Sequence, residues 1–191
     1  MILFVDACVR DDSRTKRLAN EVLSRLKGDV RTVKLKDVNF EVTDQDYLRR
    51  RDELIAKREF DSEMFTLARD FQAADQIVIA APYWDLSFPA MLKQYIEHIN
   101  VLGITFEYTK EGTPVGLCKA DRLYYVMTAG GAFVPEEYGY GYVKELAQSF
   151  YGIGEVKLIK ATGLDVYGAD VEQIMQEAIR GIDRANPFPK R

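Results

Sequence analysis

Residues 76–100 read QIVIAAPYWDLSFPAMLKQYIEHIN, and this stretch decides the fold. It opens on an unbroken apolar run, Ile77 to Ala81, of the kind that forms a strand covered on both faces. Pro82 and Pro89 then bound a short stiff segment that cannot continue the ladder. Behind Pro89, the residues Met91, Leu92, Tyr95, Ile96, Ile99 and Leu102 recur at helical spacing. Buried strand, loop and amphipathic helix, in that order, are the repeating unit of a parallel sheet with helices on its faces.

The same unit recurs on either side. Upstream, Met1 to Cys8 holds the run Ile2-Leu3-Phe4-Val5. It is followed by a capping signal at Asp12 or Ser13 and by Leu18, Val22, Leu23 and Leu26 at helical spacing, up to Gly28-Asp29. Val30 to Leu35 alternates and predicts a second strand, and Asp61 to Ala74 predicts a helix leading into Gln76. Between them Phe40 to Arg58 is charged and shows no strand; it reads as a loop with a short helix, either a solvated connection or a lid or dimer arm. Downstream, Thr105 to Thr109 and Val115 to Leu117 predict a hairpin around Glu111-Gly112. Arg122 to Thr128 is another buried strand, ending at Ala129-Gly130-Gly131. A helix over 141–151, a strand over Val156 to Ala161 and a helix from Asp170 to Ala185 follow, before the tail Asn186-Pro187-Phe188-Pro189.

The expected fold is therefore α/β, an open parallel five-stranded sheet in three layers, as one domain over residues 1–191. In such sheets ligands dock beyond the carboxyl ends of the strands, where the strand order reverses. Three loops reach that edge: Cys8–Thr15, Pro82–Pro89 and Thr128–Tyr142.

Composition narrows the function classes. The 191 residues are 47% hydrophobic and 29% charged, within the globular range rather than that of a disordered chain. A net charge of -4 gives no sign of a nucleic-acid-binding surface. Cys8 and Cys118 are the only cysteines, too few for a disulfide scaffold or a metal cluster, which predicts reduced thiols in a cytoplasm. No basic leader precedes the first strand, and no apolar run approaches the ~18 residues of a membrane span.

Each loop carries its own chemistry. In the first, backbone N–H groups and the positive end of the following helix suit a phosphate. Ser13 and Thr15 offer hydroxyls, and Arg10, Arg14 or Lys16 offer charge; the alternative is plain capping by Ser13. The glycines of a dinucleotide fingerprint and the GK[ST] of a P-loop are absent, which suits a mononucleotide. In the second loop, Tyr83, Trp84 and Leu86 offer a flat apolar surface and Asp85 a polar edge, unless Asp85 or Ser87 simply caps the next helix. In the third, Thr128-Ala129-Gly130-Gly131 lets backbone amides approach a ligand carbonyl, or is a tight turn with no ligand. Beyond it Phe133, Tyr138, Tyr140 and Tyr142 either flank a ring or substrate or form a dimer interface.

At these residues the chain resembles the flavodoxin-like NAD(P)H quinone oxidoreductases and FMN-dependent azoreductases over nearly its whole length. The resemblance is most specific in PYWDLSFPAMLKQYIEHIN (82–100), GITFEYTKEGTPVGL (103–117), TAGG (128–131) and YGIGEVKLIKATG (151–163). It implies an FMN phosphate held by Arg10, Ser13, Arg14 and Thr15. It implies ring contacts at Pro82, Tyr83, Trp84, Asp85 and Leu86, and contacts to the pyrimidine end at Thr128, Ala129, Gly130 and Gly131. It further implies a homodimer, with the 40–58 segment or the Phe133–Tyr142 aromatics near the partner. Cys8 stands where many members carry Ser, and Asp85 where the azoreductase subgroup carries Asn. A carboxylate beside the ring would lower the flavin's potential unless it accepts from the ring N–H or is protonated.

The implied activity is hydride transfer from NADH or NADPH to FMN and on to a flat, quinone-like acceptor. No side-chain nucleophile and no metal are needed. His98, the sole histidine, reads as a packing or interface residue, and Cys8 as a buried inert thiol. Two other readings share the fold: an FMN electron carrier that docks to redox proteins, and a flavin-free regulatory module.

Overall fold

The computed structural model describes residues 1–185, so the expected Asn186–Pro189 tail lies outside the described residues. Five parallel strands form the central sheet in the order β2-β1-β3-β6-β7. They are β1 (Ile2–Asp6), β2 (Val30–Lys34), β3 (Gln76–Ala80), β6 (Arg122–Thr128) and β7 (Glu155–Ala161). Successive strand residues face opposite sides. Ile2, Phe4, Val78, Ala80, Tyr124 and Val126 therefore pack on one face, against α1 (Arg14–Leu23) and α6 (Val171–Ala185). Leu3, Val5, Ile77, Ile79, Leu123 and Tyr125 pack on the other. There they meet α3 (Thr66–Ala73), α4 (Ala90–Ile99) and α5 (Tyr140–Ser149). The apolar strand runs have no wet side because both of their faces are covered.

The antiparallel hairpin of β4 (Phe106–Tyr108) and β5 (Pro114–Gly116) stands apart from the main sheet. It presses on the turn before β7 so closely that a Cβ on Gly116 would lie 2.0 Å from the Gly152 nitrogen.

The 40–58 stretch is more regular than its composition suggests. It holds the thirteen-residue helix α2 (Gln45–Lys57), started by the Asp44 carboxylate, which accepts from the Tyr47 amide at 2.8 Å. Tyr47 is its only buried residue, with Leu54 and Ile55 partly covered on the same face, so its apolar stripe is thin. The segment docks instead through aromatics: the rings of Phe40 and Tyr47 lie 5.1 and 5.4 Å from that of His98 on α4. His98 is buried there, its Nδ1 2.8 Å from the Gln94 carbonyl, in the packing role its sequence context predicts. Other differences are at helix ends. The first helix stops at Leu23, ahead of the expected Gly28, and the α3 region begins as a 3-10 turn over Glu63–Phe65.

The chain leaves β1 for β2 on one side and returns to β3 on the other. This reversal puts the loops after β1 and β3 side by side, with that after β6 next in line.

Candidate functional site

The first loop begins at Asp6, the last residue of β1. Its buried carboxylate accepts from the Cys8 amide at 3.0 Å and pairs with Lys16 Nζ at 2.8 Å. Lys16 is thereby paired inward and, unlike Arg10 and Arg14, does not line the cleft described below. Arg14, the first residue of α1, donates to Asp165 Oδ1 at 2.8 Å and to the Leu164 carbonyl at 3.3 Å. Arg10 is exposed and has no ion pair among the described residues. Ser13 caps α1, its Oγ accepting from the Lys16 amide at 3.3 Å.

Among the described residues, the amides of Val9 through Thr15 have no partner within the protein. Unpaired N–H groups at the positive end of a helix make an anion site. Thr15 is buried, and its hydroxyl lies 2.6 Å from that of Thr128, which ties the first loop to the third. Cys8 is buried, and burial pushes its thiol up to about 12, which favours the protonated form.

In the second loop the strand pairing runs on: Ala81 and Tyr83 donate to the Val126 and Thr128 carbonyls at 2.9 and 3.0 Å. The chain then reverses over two residues. Trp84 and Ser87 exchange backbone hydrogen bonds of 3.1 and 2.7 Å, with Asp85 at φ 50° and Leu86 at φ 67° between them. Two consecutive left-handed residues are what a tight reversal of this kind requires, and neither is glycine. Such residues cost roughly 1–3 kcal/mol each. Neither Asp85 nor Ser87 caps α4, whose N-cap position is Pro89 without a side-chain bond. That closes the capping alternative for this loop. Ser87 Oγ instead donates to the Tyr138 carbonyl, and Tyr83 Oη to that of Pro135, both at 3.2 Å.

The third loop is laced to the segment after β7. Leu164 and Asp165 donate to the carbonyls of Ala129 and Gly130, and Gly163 to that of Gly131. The amides of Gly130 and Gly131 have no partner among the described residues. The two glycines are not equivalent. A Cβ on Gly130 would sit 2.2 Å from Asp165 Oδ2, whereas one on Gly131 would meet nothing within 4 Å.

The three loops enclose one cleft of about 490 Å³. Arg10, Ser13, Arg14 and Thr15 line it with Pro82, Tyr83, Trp84, Thr128, Ala129 and Gly130, so ten of the residues expected from the sequence meet there. Asp85, Leu86 and Gly131 are outside its lining. Leu86 turns with Phe133 and Tyr138 into a neighbouring groove. Val9, Asp12 and Asp165 also line the cleft without having been expected to. Asp165 is the informative one: it follows β7, which pairs with β6, so the strand order puts it beside Gly130. The fit to a flavin mononucleotide is good on these observations: an anion site, adjacent aromatics and unpaired amides line one wall-to-wall space.

A family model described as the flavodoxin-like fold matches residues 1–185. An FMN-dependent NADH:quinone oxidoreductase of Clostridium perfringens is 32% identical over 199 residues, spanning 100% of this chain and 98% of that protein. FMN-dependent NADH:quinone oxidoreductase 2 of Clostridium acetobutylicum is 44% identical over 124 residues, 62% of this chain and 61% of its own. Among solved structures, an azoreductase from Bacillus anthracis superposes with a TM-score of 0.81 at 23% identity, covering 98% of this chain and 99% of that one. An FMN-dependent NADH-azoreductase from Bacillus anthracis in complex with FMN gives 0.79 at 22%, covering 96% of each. At such identities the superpositions speak for the fold alone.

Proposed function

The chain belongs to the flavodoxin-like family, and from that membership we propose that it is an FMN-dependent oxidoreductase carrying electrons from NADH or NADPH to a quinone-like or other flat aromatic acceptor. The full-length kinship to a protein named for that activity supports the reading. The observation that carries it is the run of unpaired amides from Val9 to Thr15 facing Tyr83 and Trp84 across one cleft.

The residues divide the work by chemistry. The α1 amides and the Arg10 guanidinium take the phosphate, charge-assisted and with the helix end behind it. Ser13 is occupied as a cap, so its hydroxyl shapes the site as well as lining it. Tyr83 and Trp84 bound the ring, held by the two-residue reversal and by the Tyr83 bond to Pro135. The unpaired Gly130 amide at the cleft wall would serve a ring carbonyl, and the Thr15–Thr128 pair ties the first loop to the third. When bound, FMN supplies the two-electron chemistry, taking hydride from the nicotinamide and delivering it to the acceptor. Protein groups then need only orient rings and exclude water. Asp85, expected at the ring edge, sits at the tip of the reversal and outside the cleft lining.

We also read the chain as one domain, since the sheet draws strands from both halves of it. A homodimer belongs to the same reading, and the free thiols of Cys8 and Cys118 support a cytoplasmic setting. Among the described residues no helix is long and apolar enough to cross a membrane.

The visible absorption of the purified protein tests the proposal. Bound flavin should be seen, acid should release FMN rather than FAD, and a quinone should sustain NADH oxidation. Flavin reduced only by a partner protein, with no turnover of small acceptors, would make it an electron carrier. Protein that is colourless and leaves FMN fluorescence unquenched would make it a flavin-free module.

A further inference from the structure

Next to the cleft, and sharing the Tyr83–Ser87 reversal with it, lies a second and more open groove of about 760 Å³. Leu86, Phe133, Val134, Pro135 and Tyr138 give it an apolar lining. Phe133 is 81% and Tyr138 60% exposed, and Leu86 beside them is exposed as well, so three exposed large apolar side chains line one groove. A contiguous patch of that kind marks a binding surface, and the volume is that of a small-molecule site. Two bonds weld it to the cleft: Tyr83 Oη to the Pro135 carbonyl and Ser87 Oγ to the Tyr138 carbonyl.

Its charge is one-sided. Neither Lys nor Arg lines the groove, whose charged groups are Glu136 and Glu137. Glu136 is neutralised by Lys160, but Glu137 has no ion pair among the described residues, nor has Asp85 at the tip of the reversal. Glu137 itself is exposed on the groove's rim.

On the FMN reading above, we infer that this groove seats the electron acceptor and selects it by charge: uncharged or cationic planar aromatics enter, and anionic ones are turned away. The apolar walls serve any flat ring, so an unneutralised carboxylate beside them is the discriminating element. Because the groove is open, salt should weaken the discrimination.

The experiment compares 2-methyl-1,4-naphthoquinone with its ring sulfonate on FMN-loaded protein, as kcat/KM at saturating NADH. Each value is divided by the rate at which free reduced FMN reduces the same quinone. The neutral quinone should be preferred about tenfold at low ionic strength and about twofold in ~0.5 M salt. Glu137→Gln should reduce the preference and Glu137→Lys should reverse it. A ratio that neither variant moves overturns the inference. So does an unmoved ratio accompanied by Phe133→Ser turning a dimer into monomers, which gives the groove to a second copy of the chain. Protein without visible flavin absorbance fails earlier, at the FMN reading itself, and is recognised before any quinone is added.

Discussion

Three cations stand on the first loop, and two of them already have partners: Lys16 on Asp6 and Arg14 on Asp165. Arg10→Ala should therefore weaken FMN binding about tenfold and leave riboflavin binding unchanged, since only the phosphate is addressed. Fluorescence quenching titrations with both flavins read this directly, and an equal loss for both would move the phosphate elsewhere. Gly130→Ala should cost about 1–3 kcal/mol in denaturant unfolding, because the new methyl group strikes the Asp165 carboxylate and its bond to Arg14. Gly131→Ala should cost little. With Asp165→Ser added, the Gly130 variant should regain part of the loss. Cys8 should resist iodoacetamide at pH 8 in the folded protein and react once it is unfolded, as intact mass would record, since burial holds its thiol near 12. Residue types at this scale were legible: hydroxyls and cations before a helix, aromatics between prolines, glycines after a strand. Partnerships were not. Nothing in the local sequence says that Lys16 turns inward or that Asp165 reaches the third loop, because both depend on which strands lie side by side.

At the scale of elements, α1 and α6 share one face of the sheet and are clasped by ion pairs, Arg17 with Glu172 and Arg25 with Asp183. Hydrogen bonding to Arg17 holds Glu172 down to about 2 from an ordinary 4.5, and Arg25 likewise lowers Asp183. A carboxyl lowered by folding stabilises the native state above its unfolded value, and the gain is lost as pH falls towards the folded one. The thermal midpoint should thus drop as the pH is taken from about 5 to about 2, and Arg17→Ala with Arg25→Ala should flatten that part of the profile. The pairs are exposed, so the effect is small and salt-sensitive. Gly116→Ala tests a different contact. Here the methyl group would meet main chain at Gly152 and Tyr151, which cannot rotate away as a carboxylate can. The loss should exceed that of Gly130→Ala, with hydrogen exchange in the hairpin rising first. Elements with apolar runs or stripes were legible to within a few residues. Helix α2 was legible only as a short helix within a loop, because its one buried residue is Tyr47, with Leu54 and Ile55 only partly covered.

For the molecule as a whole, the parallel sheet was readable because its three central strands, β1, β3 and β6, are apolar on both faces, and the site was readable because the strand order leaves few places for a ligand. Leu86, Phe133 and Tyr138 were singled out in the sequence, but not that they would line a groove separate from the cleft. The cleft has a property that neither its parts nor its strands have alone. Its walls come from the loops after β1, β3 and β6 together with Asp165 beyond β7, brought together only when those four strands are paired. A ligand seated there acts as a removable cross-link between distant stretches of one chain. Excess FMN at about a hundred times its Kd should add about 2.7 kcal/mol to stability, and the melting temperature should climb with its concentration. The empty form would then be the one that opens more often and meets proteases more often. In a cell starved of vitamin B2, the amount of this protein should fall along with its activity, so that supply of the cofactor sets how long each copy lasts.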